Sequence, residues 1–189
     1  DGCNLVITNA EQGGKLALKI KSNKETGDGG FTLRRLAMDG GTKSVALAGN
    51  VENIEMPDHA VQSLKMSSAG GYVSNATLGA AGTISASKGS IVGTLAVSNG
   101  FGKLTVQEVR GGRILAGVAA EADMTNTPAR AGFSSVKAKA MANATVAGSD
   151  VINGQKIMTP QISVKQATNS FFIHTHVDKT VDVKTIEPK

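Results

Sequence analysis

The sequence predicts an all-β protein: a parallel β-helix (β-solenoid) of short strands, opened by an N-terminal hairpin-like cap, with a β-sandwich as the alternative. Three observations carry this expectation. First, one local unit recurs, a polar or small residue, then Ser, Thr or Lys, then apolar-x-apolar. It appears as KSVAL at 43–47, QSLKM at 62–66, GTLAV at 93–97, GKLTV at 102–106, SSVKA at 134–138 and KTVDV at 179–183. Weaker versions are RRLAM at 34–38, ENIEM at 52–56 and GGRILA at 111–116. Second, the units open at positions 36, 45, 54, 64, 84, 95, 104 and 114, so they return about every ten residues. The one doubled gap hides a degenerate unit around Tyr72–Leu78. A period near ten that doubles to about twenty means two or three short strands per repeat, the signature of stacked architectures. Third, the 23 glycines follow no three-residue period and helical periodicity is nearly absent, which favours tight turns between strands. Strands of about four residues fit one side of a solenoid better than the typical sandwich strand of about five or six.

Taken in order, residues 1–30 form an N-terminal strand and cap segment. CNLVITNA places Leu5 and Ile7 on one face, and KLALKIKSN alternates Leu16, Leu18 and Ile20 against lysines. A Gly13-Gly14 turn would join them as a hairpin. GDGG at 27–30 breaks the chain before the repeats. Residues 31–160 carry the repeats, with a loop inserted at about 118–132, where VAAEADM is the best local helix former and Pro128 ends it. A second irregular stretch, 141–160, holds a strand at Ala144–Ala147 and a turn at Asn153-Gly154. Residues 161–189 return to clear alternation as C-terminal strands, either a cap or a connector.

Composition narrows the function classes. The chain has no Trp, one Tyr and five Phe, so aliphatic residues must fill its core. Phe101, Phe133, Phe171 and Phe172 read as core or cap residues. The formal charge is +5, from 20 Lys+Arg against 15 Asp+Glu, without any basic run of five or more. That pattern reads as a solvated mixed surface and gives no specific nucleic-acid signal. No apolar run approaches a membrane span. Cys3, the single cysteine, allows no internal disulfide. The chain opens on Asp without a signal peptide, as a processed precursor or an excised fragment would.

Sites with specific chemistry are few. His174 and His176 share one face of a strand, since side chains at i and i+2 point the same way. Two neutral imidazoles can ligate Zn or Cu, and Asp178 continues that face, so these two histidines are the candidate metal ligands. The competing reading is a polar, solvent-facing strand side. The third histidine, His59, follows Pro57-Asp58 in an expected turn. Asp28 in GDGG, with Glu25 the only acid nearby, falls short of the six to eight oxygens calcium takes. Glu52 and Glu55 are close in sequence but fall on opposite faces of a strand, which spoils them as a catalytic pair. SNGFGKLT at 98–105 lacks the spacing of a phosphate-binding loop, and no nucleophile elbow is present. Asn75 and Asn143 stand in N-A-T sequons. No catalytic residue and no cofactor are expected.

The units GTLAVSNGFGKLTVQEV and SSVKAKAMANATVAGS, with the lead-in CNLVITNAEQGGKLALKIKSNKETGDGG before FTLRRLAMDG, resemble β-helix repeat blocks of large bacterial (planctomycete-like) cell-surface and extracellular proteins. The resemblance spans about residues 4–183. It implies a parallel β-helix, export to the cell surface or beyond, and a structural role. Similar sequences often carry a Gly- and Asp-rich calcium loop after an AGV unit, whereas AGVAAEADMTNTPARAG keeps only Glu121 and Asp123. The expected function is an extracellular structural subunit that assembles head-to-tail into a filament or surface layer through its atypical ends. The alternative is an adhesin or glycan-binding module with polysaccharide or the cell surface as partner. A polysaccharide-cleaving enzyme ranks last.

Overall fold

The computed structural model describes residues 2–8, 13–18, 31–66, 71–117, 132–148, 151–152, 155–156, 161–174 and 181–183. Among them the chain is all-β. Fourteen strands join one sheet, and every strand pair in it is parallel. The strands are β1 (Cys3–Ile7), β2 (Gly14–Ala17), β3 (Thr32–Met38), β4 (Thr42–Leu47), β5 (Asn50–Met66), β6 (Tyr72–Ile91), β7 (Thr94–Val97), β8 (Phe101–Arg110), β9 (Arg113–Ala116), β10 (Phe133–Ala142), β11 (Thr145–Gly148), β14 (Gln161–Thr168), β15 (Phe171–His174) and β16 (Val181–Val183). A separate antiparallel pair, β12 (Val151–Ile152) with β13 (Gln155–Lys156), flanks the Asn153-Gly154 position.

The apolar-x-apolar unit explains the register. In the first ladder Leu5, Leu36, Ile54, Ala76, Leu95, Ile114, Val146 and Phe172 are successive register partners. In the second the partners are Leu16, Val45, Leu64, Ile84, Leu104, Val136, Ile162 and Val181. A shorter third ladder aligns Ile91, Val109, Met141 and Ala167. Sequence units therefore alternate between the first two ladders, and the ten-residue period is half of a repeat of about twenty. The degenerate unit at Tyr72–Leu78 takes its place, with Val73, Ala76 and Leu78 buried. Units expected as separate short strands fuse: β5 runs through the first two ladders and β6 through all three, with register irregularities between Met56 and Ala60 and between Ala86 and Ser90.

One contiguous buried cluster draws side chains from all three ladders, including Leu36, Leu104, Val109 and Met141. Aliphatic rows in register fill it, as the scarcity of aromatics requires. The aromatics described there are Phe101 and Phe133, register partners in β8 and β10 whose rings stack at 5.2 Å. From β7 onward the first ladder is also buried on its other face. Ala96, Leu115 and Ala147, register neighbours between the inward pairs, are 3%, 0% and 3% exposed and lie outside the main cluster. A strand covered on both sides reads as a continuous apolar run, and TLAV, RILA and TVAG do so.

The N-terminal segment differs from the expected hairpin. Strand β1 pairs in parallel with β3, and β2 with β4; the two do not pair with each other. Their alternating Leu5, Ile7, Leu16 and Leu18 extend the apolar rows of the two ladders, and that burial outweighs the turn propensity of Gly13-Gly14. Gly13 itself sits at φ +93°.

Left-handed backbone recurs at one aligned position after the third ladder: Gly111 (φ 61°), Asn143 (φ 50°) and Asn169 (φ 45°). Asn is the non-glycine residue that best tolerates this conformation. Asn169 Nδ2 donates to Asn143 Oδ1 at 2.8 Å, so the amides interlock. A Cβ at Gly111 meets open space. Gly111→Asn is therefore expected to leave stability within about 0.5 kcal/mol of the original or raise it, whereas Gly111→Val costs more than about 1 kcal/mol. Urea denaturation of the two variants checks this.

Candidate functional site

Among the described residues, those singled out for chemistry do not converge. His174 lies in β15, its backbone paired with Gly148; its side chain, His176 and Asp178 are outside the described residues, as are Glu25, Asp28 and residues 118–131. Among the described residues no group of three or more His, Cys, Asp or Glu is placed to hold a metal. Glu55 is engaged by Arg35, whose Nη2 donates at 2.6 Å. That hydrogen bond, with the guanidinium charge, holds the Glu55 carboxyl below the usual glutamate range. Both groups are largely exposed, so the pair contributes little to stability. Cys3 is exposed on β1.

His59 sits where β5 passes from the first ladder to the second. Its Nε2 accepts the Gly40 N–H at 2.8 Å and lies 3.2 Å from Asp39 Oδ1. The two contacts are alternatives set by the tautomer: an unprotonated Nε2 accepts from Gly40, and an Nε2–H would donate to Asp39. His59 thus lies within β5 and not in the expected turn, and its ring caps the backbone of the Asp39–Gly40 turn.

Both sequon asparagines are exposed and tied into the surface. Asn75 Oδ1 accepts the Thr94 N–H at 3.1 Å, and its Nδ2 contacts Asn53 Oδ1 at 3.4 Å. Asn143 joins the amide pair with Asn169.

Two features stand out as interaction surfaces. The first is the pair of strand edges at the N-terminal end. Asp39 N–H donates to Ile7 O at 2.9 Å, and Leu18 N–H donates to Ala46 O at 2.8 Å. Backbone groups in a strand alternate sides, so those of Asn4 and Val6 in β1, and of Lys15 and Ala17 in β2, point away from β3 and β4. No described strand pairs with that side. The inward Leu5, Ile7, Leu16 and Leu18 are only partly buried there, and Val6 is 57% exposed. At the opposite end β15 and β16 each have one described partner, β11 and β14. The sequence pointed to atypical ends; it gave no sign that both ends continue the same two ladders.

The second is a groove of about 560 Å³ along the third ladder, lined by Tyr72, Lys88, Ser90, Val92, Gln107, Glu108 and Arg110. Arg110 is oriented by Glu108, donating from Nη2 at 2.7 Å and from Nε at 3.3 Å. This hydrogen bond, with the carboxylate charge, pushes the guanidinium further above its ordinary value. Sequence reading missed the groove because its two sides lie about twenty residues apart and meet only through the ladder. No helix among the described residues is long and apolar enough to cross a membrane. Comparison with protein-family models, curated proteins and solved structures finds no match.

Proposed function

We propose that this chain is a parallel β-helix and that it acts as a structural subunit, stacking head-to-tail into a filament or layer at the cell surface or outside the cell. The observation that carries the reading is that the first and second ladders are edged by β1 and β2 at one end and by β15 and β16 at the other, with all strands parallel. Placing β1 and β2 of one copy on β15 and β16 of the next continues both ladders in the same direction. It also covers the half-buried Leu5, Ile7, Leu16 and Leu18. Unpaired strand edges are templates for another chain, and a head-to-tail contact that does not close generates an open filament. Three ladders sharing one buried cluster, with partners about twenty residues apart, support the β-helix reading. The resemblance of the repeat units to bacterial surface proteins supports the location. The reading assigns no catalytic role.

Val6→Pro tests it. Proline removes an N–H directed at the open edge and leaves the Ile7 bond to β3 in place. Wild-type protein is expected to form particles that lengthen with concentration, seen by sedimentation and electron microscopy. The variant should stay monomeric with an unchanged circular-dichroism spectrum. Monodisperse wild-type particles at every concentration would sink the proposal.

A further inference from the structure

The ladder register gathers charges that are scattered in the sequence. Among described side chains from Tyr72 to Ser170 the bases are Lys88, Lys103, Arg110, Arg113, Lys137, Lys139 and Lys165; the only acid is Glu108. Several of these bases align. Gln107 falls opposite Lys139, between the Val106–Ala138 and Glu108–Ala140 pairs. Lys139 falls opposite Lys165, between Ala138–Val164 and Ala140–Gln166. Lys88 lies in the stretch of β6 that runs beside Gln107. The result is a column, Lys88–Gln107–Lys139–Lys165, along the junction of the second and third ladders. Lys137 stands on the same side as Lys139 in β10. All four lysines are exposed, and none has an ion-pair or hydrogen-bond partner among the described residues.

Like charges directly opposite on neighbouring strands, about 4.8 Å apart, repel and destabilise the sheet. Lys139 and Lys165 are such a pair, and an anion laid along the column removes the repulsion. The column opens at one end into the groove of Tyr72, Ser90, Gln107, Glu108 and Arg110. That groove offers an aromatic face, a guanidinium held in place, and neutral and acidic acceptors for hydroxyl groups. This mixture suits a sugar ring bearing a carboxylate. It suits nucleic acid poorly: single strands need repeated aromatic platforms, and Tyr72 is the groove's one aromatic.

We propose that the column and the groove form one track for a linear, carboxylate-bearing polysaccharide. Tyr72 stacks on one sugar, Arg110 and Lys88 hold its carboxylate, and Lys139 and Lys165 take the carboxylates that follow. The strand spacing, comparable to the length of one pyranose ring, sets the charge repeat.

Titration calorimetry with a polyuronate chain tests the track. The comparisons are the same chain reduced to its neutral form, the free uronic acid and single-stranded DNA. Polyuronate is expected to bind in low salt, and the neutral chain and free acid to bind much more weakly. Lys139→Gln with Lys165→Gln should weaken polyuronate about tenfold and reduce the slope of log affinity on log salt by about two. The charge-matched control Arg34→Gln with Lys43→Gln, on the N-terminal half, should change it little. Tyr72→Ala should weaken polyuronate and leave DNA unchanged. Equal losses in the two double variants, or no polyuronate binding, overturn the track. DNA binding as tight as polyuronate, indifferent to Tyr72→Ala, overturns the saccharide assignment. Repeating the titration on monomeric Val6→Pro separates this result from assembly.

Discussion

Gly93→Ala is expected to destabilise the protein by about 3 kcal/mol, through overpacking and a lost hydrogen bond. Gly93 stands just before β7, where the chain enters the first ladder again. A Cβ there would overlap the Ser74 carbonyl oxygen and press on Asn75 Oδ1. That same Oδ1 accepts the Thr94 N–H, and the Gly93 carbonyl accepts the Arg113 N–H at 2.9 Å. Relief of the clash therefore spreads strands that are bonded on both sides. The next repeat places Gly112 opposite Gly93, again with a carbonyl where a Cβ would go. Gly111→Ala is the informative comparison, because its surroundings are open and only its φ is costly, about 1 kcal/mol. Urea unfolding of the two variants decides the matter: a Gly93→Ala loss no larger than that of Gly111→Ala would show that close backbone approach is not what glycine provides there.

Phe133→Ala is expected to cost about 3–5 kcal/mol, a large share of the roughly 5–15 kcal/mol that separates most domains from unfolding. Phe133 is 1% exposed, stacks on Phe101 and lies close beside Gly148, where a Cβ would touch its ring. Removing the ring opens a cavity between the second ladder and β11. Phe133→Leu should recover more than half of the loss, because a branched aliphatic fills most of that space. Denaturant midpoints measure both variants; a Phe133→Ala midpoint near the wild type would mean that the site collapses without a cavity.

The ladders were legible because their cause is local. Each inward pair, such as Leu104/Val106 or Val136/Ala138, is visible within five residues, and its recurrence fixes which residues face the core. The fate of the first two strands was not. Gly13-Gly14 is a good hairpin signal, and only the rows into which Leu5 and Leu16 fit show that it is overruled. Leu115 is a different case. Its signal, the unbroken run Ile114-Leu115-Ala116, was present, but reading apolar residues in alternating pairs passes over the middle one. Candidate surfaces were the least legible. Lys139 and Lys165 are neighbours only by register, and a charge count along the sequence sees two isolated lysines.

The register has a mechanical consequence. Within the compact stretch each strand bonds to chain about twenty residues earlier and about twenty later. Tension on the two ends along the ladders loads only the outermost layer of bonds. Layers give way in sequence, each freeing about 20 to 30 residues, or about 70–100 Å of extended chain at roughly 3.5 Å per residue. Such a molecule yields in small increments under load, and the layers beneath the break keep their pairing.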